Sequence, residues 1–160
     1  MTETMIKQAV DAAQKARREF FYDDPDDVRI GIFRMLGRYN VEVRYKTWGR
    51  SPKMDGDKYI LTIYFNTPDG RINYILAHEL GHIVLGHSID VMRERFHDGQ
   101  ISDEERQANI FAANLLMPER KFRAVCRECG NSVEKVAYIF GVSNSSAKTR
   151  MTLLGIEEGR

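Results

Sequence analysis

The strongest constraint on this chain is a pair of histidines four residues apart with a glutamate after the first, namely His78, Glu79 and His82. Apolar side chains recur at helical spacing through residues 71–87, which predicts an amphipathic helix. Residues four apart lie one turn apart on a helix, so both imidazoles project from one side, away from the apolar stripe. Two neutral imidazoles at this spacing suit tetrahedral zinc. Glu79 is then placed to take a proton from the attacking water rather than to bind metal.

The competing interpretation is a structural pair of histidines, because a pattern as short as HExxH also occurs by chance in helices. Three features favour the metal site: the strong helical periodicity, a plausible third ligand downstream, and Gly81. With no side chain, Gly81 would let a substrate or a neighbouring strand approach the helix closely. Gly86 predicts a C-terminal cap that ends the helix.

A catalytic zinc site needs a third protein ligand and an open position for water. The candidates downstream are His87, His97, Glu94, Glu104 and Glu105. Residues 102–118 predict the next helix, and Glu105 projects near the middle of its buried face, where a carboxylate is costly unless paired or metal-bound. We therefore predict Glu105 as the third ligand, with a capping box from Ser102 to Glu105 as the alternative. We interpret His87 as a hydrogen-bonded histidine that supports the site.

These segments together resemble the ImmA/IrrE family of metallopeptidases. The matching stretches are residues 75–87, which contain HExxH, and residues 105–118; residues 132–155 are similar to the family's C-terminal helices. The resemblance implies that His78, His82 and Glu105 bind Zn2+ and that Glu79 is the catalytic base. It also implies an intracellular peptidase that cleaves a helix-turn-helix transcriptional repressor and so relieves repression in a mobile element or a stress response.

Composition excludes several other classes of protein. The chain has 160 residues, of which 42% are hydrophobic and 29% charged, as in an ordinary globular protein with a sizeable core. A formal net charge of +1 predicts neither nucleic-acid nor membrane binding. No apolar run approaches the length of a membrane span, and the N-terminus lacks the apolar core of a signal peptide. We therefore expect a cytoplasmic protein.

The predicted fold is α+β: a mostly helical, zinc-peptidase-like domain with a small antiparallel β-sheet beside the HExxH helix and a C-terminal helical hairpin. Residues 41–48 and 58–65 predict strands that pair with each other, with a turn at 51–56 between them. The edge of this sheet is a candidate site for binding an extended peptide by strand addition. Residues 88–101 predict a connection over the cleft.

The domain prediction is a metallopeptidase core at residues 1–118 and a helical appendage at 119–160, together in one compact unit. The core begins with predicted helices at residues 4–22 and 26–39. One side of the first helix is predicted to carry Ile6, Val10, Ala13, Arg17 and Phe20.

Residues 132–154 support a rival function. Their two predicted helices resemble a helix-turn-helix, and the second offers Asn144, Lys148 and Arg150 to DNA. The segment is only weakly basic and two glutamates follow it, so we favour a structural hairpin or a docking surface for the substrate, and DNA binding is not expected. A second rival is a protein that sequesters a repressor with little or no proteolytic activity.

Two roles stay open at the level of sequence. The candidates for stabilising an oxyanion are Tyr74, His87 and His97. Cys126 and Cys129 are interpreted as ordinary reduced thiols near a helix end, with half of a second zinc site or a redox role as the alternatives.

Overall fold

A computed structural model describes residues 1–21, 28–47, 53–88 and 101–159. Within these ranges the chain forms seven helices and three strands. In chain order they are α1 (Glu3–Phe20), α2 (Val28–Arg38), β1 (Val41–Lys46), β2 (Lys53–Asp55), β3 (Lys58–Tyr64), α3 (Asp69–Leu85), α4 (Asp103–Leu116), α5 (Glu119–Glu128), α6 (Val133–Phe140) and α7 (Asn144–Leu153).

Local sequence accounts for where several helices begin and end. Ser102, Ser132 and Ser143 precede α4, α6 and α7, and each side chain accepts a hydrogen bond from the backbone N–H three residues on. Such caps satisfy a donor that has no partner within the helix. Gly86 ends α3 in the left-handed conformation, with φ of 72°. Only glycine adopts this conformation at little cost, so the predicted C-terminal cap is confirmed.

The sheet differs from the prediction of an antiparallel pair. Its strand order is β1-β3-β2; β1 runs parallel to β3, and β2 runs antiparallel to β3. The predicted antiparallel sheet is therefore wrong. The reason is that β2 lies inside the segment predicted as a turn. Gly56 and Asp57 make a tight reversal between β2 and β3, with φ of 63° at Gly56, so β2 takes the antiparallel place beside β3.

The core lies where α1, α3 and α4 meet. Small buried residues face inward from α1, namely Ala9, Ala13 and Ala16. On α3, a Cβ added to Gly81 would lie 2.9 Å from the ring of Phe111 and 3.3 Å from the backbone of Ala108. Gly81 therefore allows close packing of helix α4, rather than the strand or substrate suggested by the sequence.

The two C-terminal helices pack against the N-terminal part of α3 and against α4. Asn73 donates a 2.8 Å hydrogen bond to the carbonyl of Gly141, which lies between α6 and α7. Arg150 on α7 is only 7% exposed and donates a 2.9 Å hydrogen bond to Asn114 on α4. Across the described ranges, every helix is too short or too polar to cross a bilayer.

Candidate metal centre

Two helices bring three potential ligands to one point. His78 and His82 project from α3, and Glu105 projects from the first turn of α4. The Nε2 atom of His78 lies 3.2 Å from Glu105 Oε2, and the Nε2 atom of His82 lies 3.2 Å from Glu105 Oε1. The two Nε2 atoms are 3.1 Å apart. These three residues are a group that could hold a metal ion.

The chemistry of this donor set fits zinc. In a tetrahedral site with metal–ligand bonds of about 2.0–2.1 Å, neighbouring ligand atoms are about 3.3 Å apart. The observed separations of 3.1 and 3.2 Å are close to that value. Two imidazole nitrogens and a carboxylate also match the His2Glu ligand set of catalytic zinc sites. The convergence of two imidazole nitrogens on a carboxylate becomes favourable when a metal ion or a proton supplies positive charge between them.

The outer nitrogen of His78 has a partner on α4. His78 Nδ1 lies 3.0 Å from Asn109 Oδ1, which also accepts a 3.3 Å hydrogen bond from the hydroxyl of Tyr74. An amide oxygen accepts only, so His78 Nδ1 carries the proton and its Nε2 presents a lone pair toward Glu105. Burial raises the pKa of the Tyr74 phenol, which keeps that hydroxyl protonated as a donor.

The outer nitrogen of His82 meets a second histidine. His82 Nδ1 lies 2.9 Å from His87 Nδ1, and His87 Nε2 lies 3.1 Å from Gln107 Oε1. Gln107 in turn donates a 3.0 Å hydrogen bond to the backbone carbonyl of Met5 on α1. Burial lowers the pKa of His87, which favours its neutral ring. His87 is therefore a hydrogen-bonded histidine beside His82, in keeping with its interpretation as a supporting residue.

Glu79 contacts the sheet through its carboxylate. The hydroxyl of Tyr59 on β3 donates a 3.0 Å hydrogen bond to Glu79 Oε2. Both residues are buried. Glu79 directly follows His78 in α3, and its carboxylate is not one of the three groups of the candidate metal centre.

The two interpretations of Glu105 are compatible in the structure. Ser102 caps α4 by accepting a hydrogen bond from the backbone N–H of Glu105 at 3.1 Å. The Glu105 side chain points to the histidines, with one carboxylate oxygen 3.2 Å from each Nε2 atom. The metal-ligand group includes Glu105 and not Glu104. Glu94 and His97 lie outside the described residues.

The candidates for an oxyanion-stabilising residue fare differently. The Tyr74 hydroxyl is bonded to Asn109, and both ring nitrogens of His87 face His82 and Gln107. His97 lies outside the described residues. The structure thus directs neither of the two described candidates at the point where the three ligand atoms converge.

The two cysteines lie away from this group. Cys126 is buried on α5 and Cys129 is partly buried at its end, and both are free. Burial raises the pKa of the Cys126 thiol, with a smaller contribution from Cys129 in the same direction. A raised pKa makes a thiol less reactive, which favours the interpretation as ordinary reduced thiols.

Three residues around the group had not been identified from the sequence: Tyr59, Gln107 and Asn109. Asn109 lies four residues after Glu105 on α4, a spacing that places both on one face, so helical periodicity could have suggested it. No comparable signal exists for Tyr59 or Gln107, because their partners are distant in the chain.

Comparison with known proteins agrees with this geometry. The family model described as Peptidase_M78, IrrE N-terminal-like domain, matches residues 29–152. The matched region contains α3 to α6, the three described strands, all but the first residue of α2 and the last of α7, and all of the candidate metal ligands. A search of curated proteins finds no match.

Proposed function

Because the chain belongs to the Peptidase_M78 family, of the IrrE N-terminal-like type, we propose that it is a zinc-dependent endopeptidase. In this proposal His78, His82 and Glu105 bind Zn2+ and Glu79 is the general base. The observation that carries the proposal is the convergence of two Nε2 atoms and one carboxylate within 3.1–3.2 Å. That set leaves the fourth position of a tetrahedral site to a water or a substrate.

The residues divide the work of peptide hydrolysis between them. Bound zinc supplies a Lewis acid that polarises a peptide carbonyl and makes water a stronger nucleophile at neutral pH. Glu79 accepts the proton of the attacking water and can deliver it to the departing amine. The hydrogen bond from Tyr59 holds one carboxylate oxygen of Glu79, which limits the orientations that the other oxygen can take.

The proposed substrate is a helix-turn-helix transcriptional repressor, cleaved to relieve repression. The support for this is the resemblance of the HExxH and Glu105 segments to the ImmA/IrrE family. A repressor substrate would place the enzyme in the cytoplasm. The sheet offers a plausible way of holding an extended peptide, because β1 and β2 are its outer strands in the described structure and unpaired strand edges bind peptides by strand addition.

The decisive experiment separates metal binding from chemistry. Glu79→Gln keeps the shape of the side chain and removes the proton acceptor. When a helix-turn-helix repressor is co-expressed with each variant, we expect cleavage to fall about 10²–10⁴-fold, the usual contribution of a general base. Zinc content and repressor binding should persist, so that the variant retains the uncut repressor in a pull-down.

Glu128→Gln is a matched control, because Glu128 is an exposed glutamate on α5, away from the helices proposed to face the substrate. We expect it to cleave the repressor at the parent rate. Cleavage at the parent rate by Glu79→Gln would reject the peptidase mechanism and leave a sequestering protein as the better description. A parent protein that binds the repressor and never cuts it would lead to the same conclusion.

One observation weakens the DNA-binding alternative. Among the three residues offered to DNA by the predicted recognition helix, Arg150 is buried and bonded to Asn114, and Lys148 forms a 2.9 Å ion pair with Glu158. Recognition of a base edge needs a side chain that can reach into a groove. We therefore propose that α6 and α7 have a structural role or present a surface to the substrate.

A further inference from the structure

A chain of hydrogen bonds leads from His82 through His87 and Gln107 to a backbone carbonyl, which can act only as an acceptor. The backbone carbonyl of Met5 can only accept a hydrogen bond, and Gln107 Nε2 lies 3.0 Å from it. This contact orients the Gln107 amide with its nitrogen toward α1 and its oxygen toward His87. Since Gln107 Oε1 can only accept, the His87 Nε2 atom 3.1 Å away carries a proton.

The same logic continues to the candidate metal centre. With the proton of the ring on Nε2, His87 can offer a lone pair on Nδ1, which faces His82 Nδ1 at 2.9 Å. His82 Nδ1 must then carry the proton of that hydrogen bond. The remaining nitrogen, His82 Nε2, is left with its lone pair directed at Glu105 and His78.

We propose that the relay from the Met5 carbonyl through Gln107 and His87 fixes the orientation and tautomer of His82, so that its Nε2 is presented to a metal ion. His87 and Gln107 are positioning residues in this proposal, which rests on the proposed metal site. Partners of this kind orient a ligating histidine and raise its basicity. Here the terminal partner belongs to α1, which precedes the family match at residues 29–152.

Burial makes the relay specific. His82 is completely buried and Gln107 is 5% exposed, so water is poorly able to replace a missing partner. The relay also differs from the support of His78, which ends at the side chains of Asn109 and Tyr74. The two imidazoles of the HExxH pair thus have different supports. His78 is held by Asn109 on α4 and by Tyr74, whereas the contacts of His82 lead through His87 and Gln107 to α1.

The test uses substitutions that separate the two ends of the His87 ring. The Oδ1 atom of asparagine can take the place of Nδ1, so His87→Asn keeps an acceptor for His82 and loses the donor to Gln107. The Nε2 atom of glutamine can take the place of the ring Nε2, so His87→Gln keeps the donor and loses the acceptor. His87→Leu loses both. Gln107→Met removes the side chain that connects His87 to α1. Gln14→Met, an exposed change on α1, is a control outside the relay.

The measurement is the dissociation constant for zinc, by competition with a chromophoric chelator, on the full chain without any peptide. We expect His87→Gln and His87→Leu to bind zinc about 10–100-fold more weakly, the usual effect of losing such a partner. His87→Asn should stay within about threefold of the parent, Gln107→Met should weaken binding measurably, and Gln14→Met should not. His87→Gln keeps the test decisive if His87→Leu fails to fold.

Several results would overturn the relay. Equal weakening by His87→Asn and His87→Leu would mean that the ring fills space and does not act as an acceptor. Unchanged affinity in His87→Gln would remove His87 from the metal site, and unchanged affinity in Gln107→Met would remove the link to α1. Long-range 1H–15N correlation of the zinc-bound parent adds a direct test, because it should show protons on His82 Nδ1 and His87 Nε2; a proton on His87 Nδ1 contradicts the relay.

Failure of the relay and failure of the proposed function are distinguishable. A parent protein that binds zinc with the expected variant pattern but cuts no repressor would reject the peptidase and support the relay. A parent protein that binds no zinc would overturn both.

Discussion

Tyr59 donates a 3.0 Å hydrogen bond to Glu79, which joins the central strand of the sheet to the HExxH helix at the proposed general base. The tyrosine is 5% exposed and the glutamate 4%. In such an environment a hydrogen bond to a charged group is stronger than at the surface. The sheet therefore contacts the site as well as packing on the core, because its Tyr59 restrains the carboxylate that we propose as the proton acceptor.

Tyr59→Phe should lower kcat and leave zinc content unchanged. Hydrogen bonds to charged groups contribute about 1.5–3 kcal/mol, and 1.4 kcal/mol corresponds to about a factor of ten. We expect about a tenfold or larger loss in kcat with a smaller change in KM, measured on a cleavable repressor. Tyr45→Phe, an exposed change on the neighbouring strand β1, should have no effect. An unchanged kcat in Tyr59→Phe would show that Glu79 is positioned without this hydrogen bond.

Zinc content should distinguish two adjacent glutamates on α4. Glu105→Ala removes one of three ligands and should reduce zinc from about one ion per chain to a small fraction after gentle purification, because catalytic sites depend on three protein ligands. Glu104→Ala removes a carboxylate one position away and should retain the metal. Elemental analysis of both variants, beside His78→Ala and His82→Ala, measures this. Full zinc in Glu105→Ala would show that the third ligand lies elsewhere, for example at Glu104 or His97.

Gly81→Ala should destabilise the fold although alanine favours helices. The added Cβ would lie 2.9 Å from the buried ring of Phe111 and 3.3 Å from the backbone of Ala108. Overpacking of this kind costs about 1–3 kcal/mol, which exceeds the gain of about 1 kcal/mol in helix propensity. Gly37→Ala on α2 is the matched control, since nothing lies within 4 Å of its added Cβ. Chemical denaturation should show opposite signs, and a stabilised Gly81→Ala would mean that α3 and α4 separate without cost.

Arg150→Ala should lower the free energy of unfolding more than Lys148→Ala does, and neither substitution should change DNA affinity. Arg150→Ala removes a buried hydrogen bond to Asn114 and the packing of a long side chain, and should cost about 1–3 kcal/mol in unfolding free energy. Lys148→Ala is a surface change and should stay within about 0.5 kcal/mol. The double substitution should leave DNA affinity at a weak nonspecific background. A sequence-specific footprint that the double substitution abolishes would restore the DNA-binding alternative.

The parts of the site that follow from helical periodicity were predictable. The i, i+4 spacing of His78 and His82 places them together on any regular helix, and Gly86 and Ser102 are strong local signals for a helix end and a helix start. Glu105 could be inferred because a carboxylate on the buried face of a helix requires a partner. The structure brings these residues together as the pattern indicated. Their catalytic and ligand roles remain predictions.

Strand direction was not predictable from the same kind of pattern. Alternation of side chains identifies β1 and β3 but carries no information about whether they run parallel. The short strand β2 decides the matter, and it lies in a segment whose proline and glycine favour a turn.

The buried face of α1 was predicted only in part. Ala13 and Phe20 were expected on one side of α1 and are buried, whereas Ile6 was expected there and is 40% exposed. Ala9 and Ala16 are also buried and were not predicted. Small residues carry little hydrophobic signal, yet they let two helices approach closely, so their burial depends on a partner that the local sequence does not reveal. The hydrogen bond from Gln107 to Met5 has the same origin, since its two residues are 102 positions apart.

The packing of α1 shows that the packed structure extends beyond the segment that matches the family model. The family match begins at residue 29, but α1 covers α4 with its buried alanines and Arg17 donates a hydrogen bond to the carbonyl of Leu115. A fragment that starts at residue 29 would lack α1. It would expose the apolar surface of α4 to water and leave the Leu115 carbonyl without its hydrogen bond from Arg17. A fragment that keeps this surface of α4 covered must therefore include α1, which spans Glu3–Phe20.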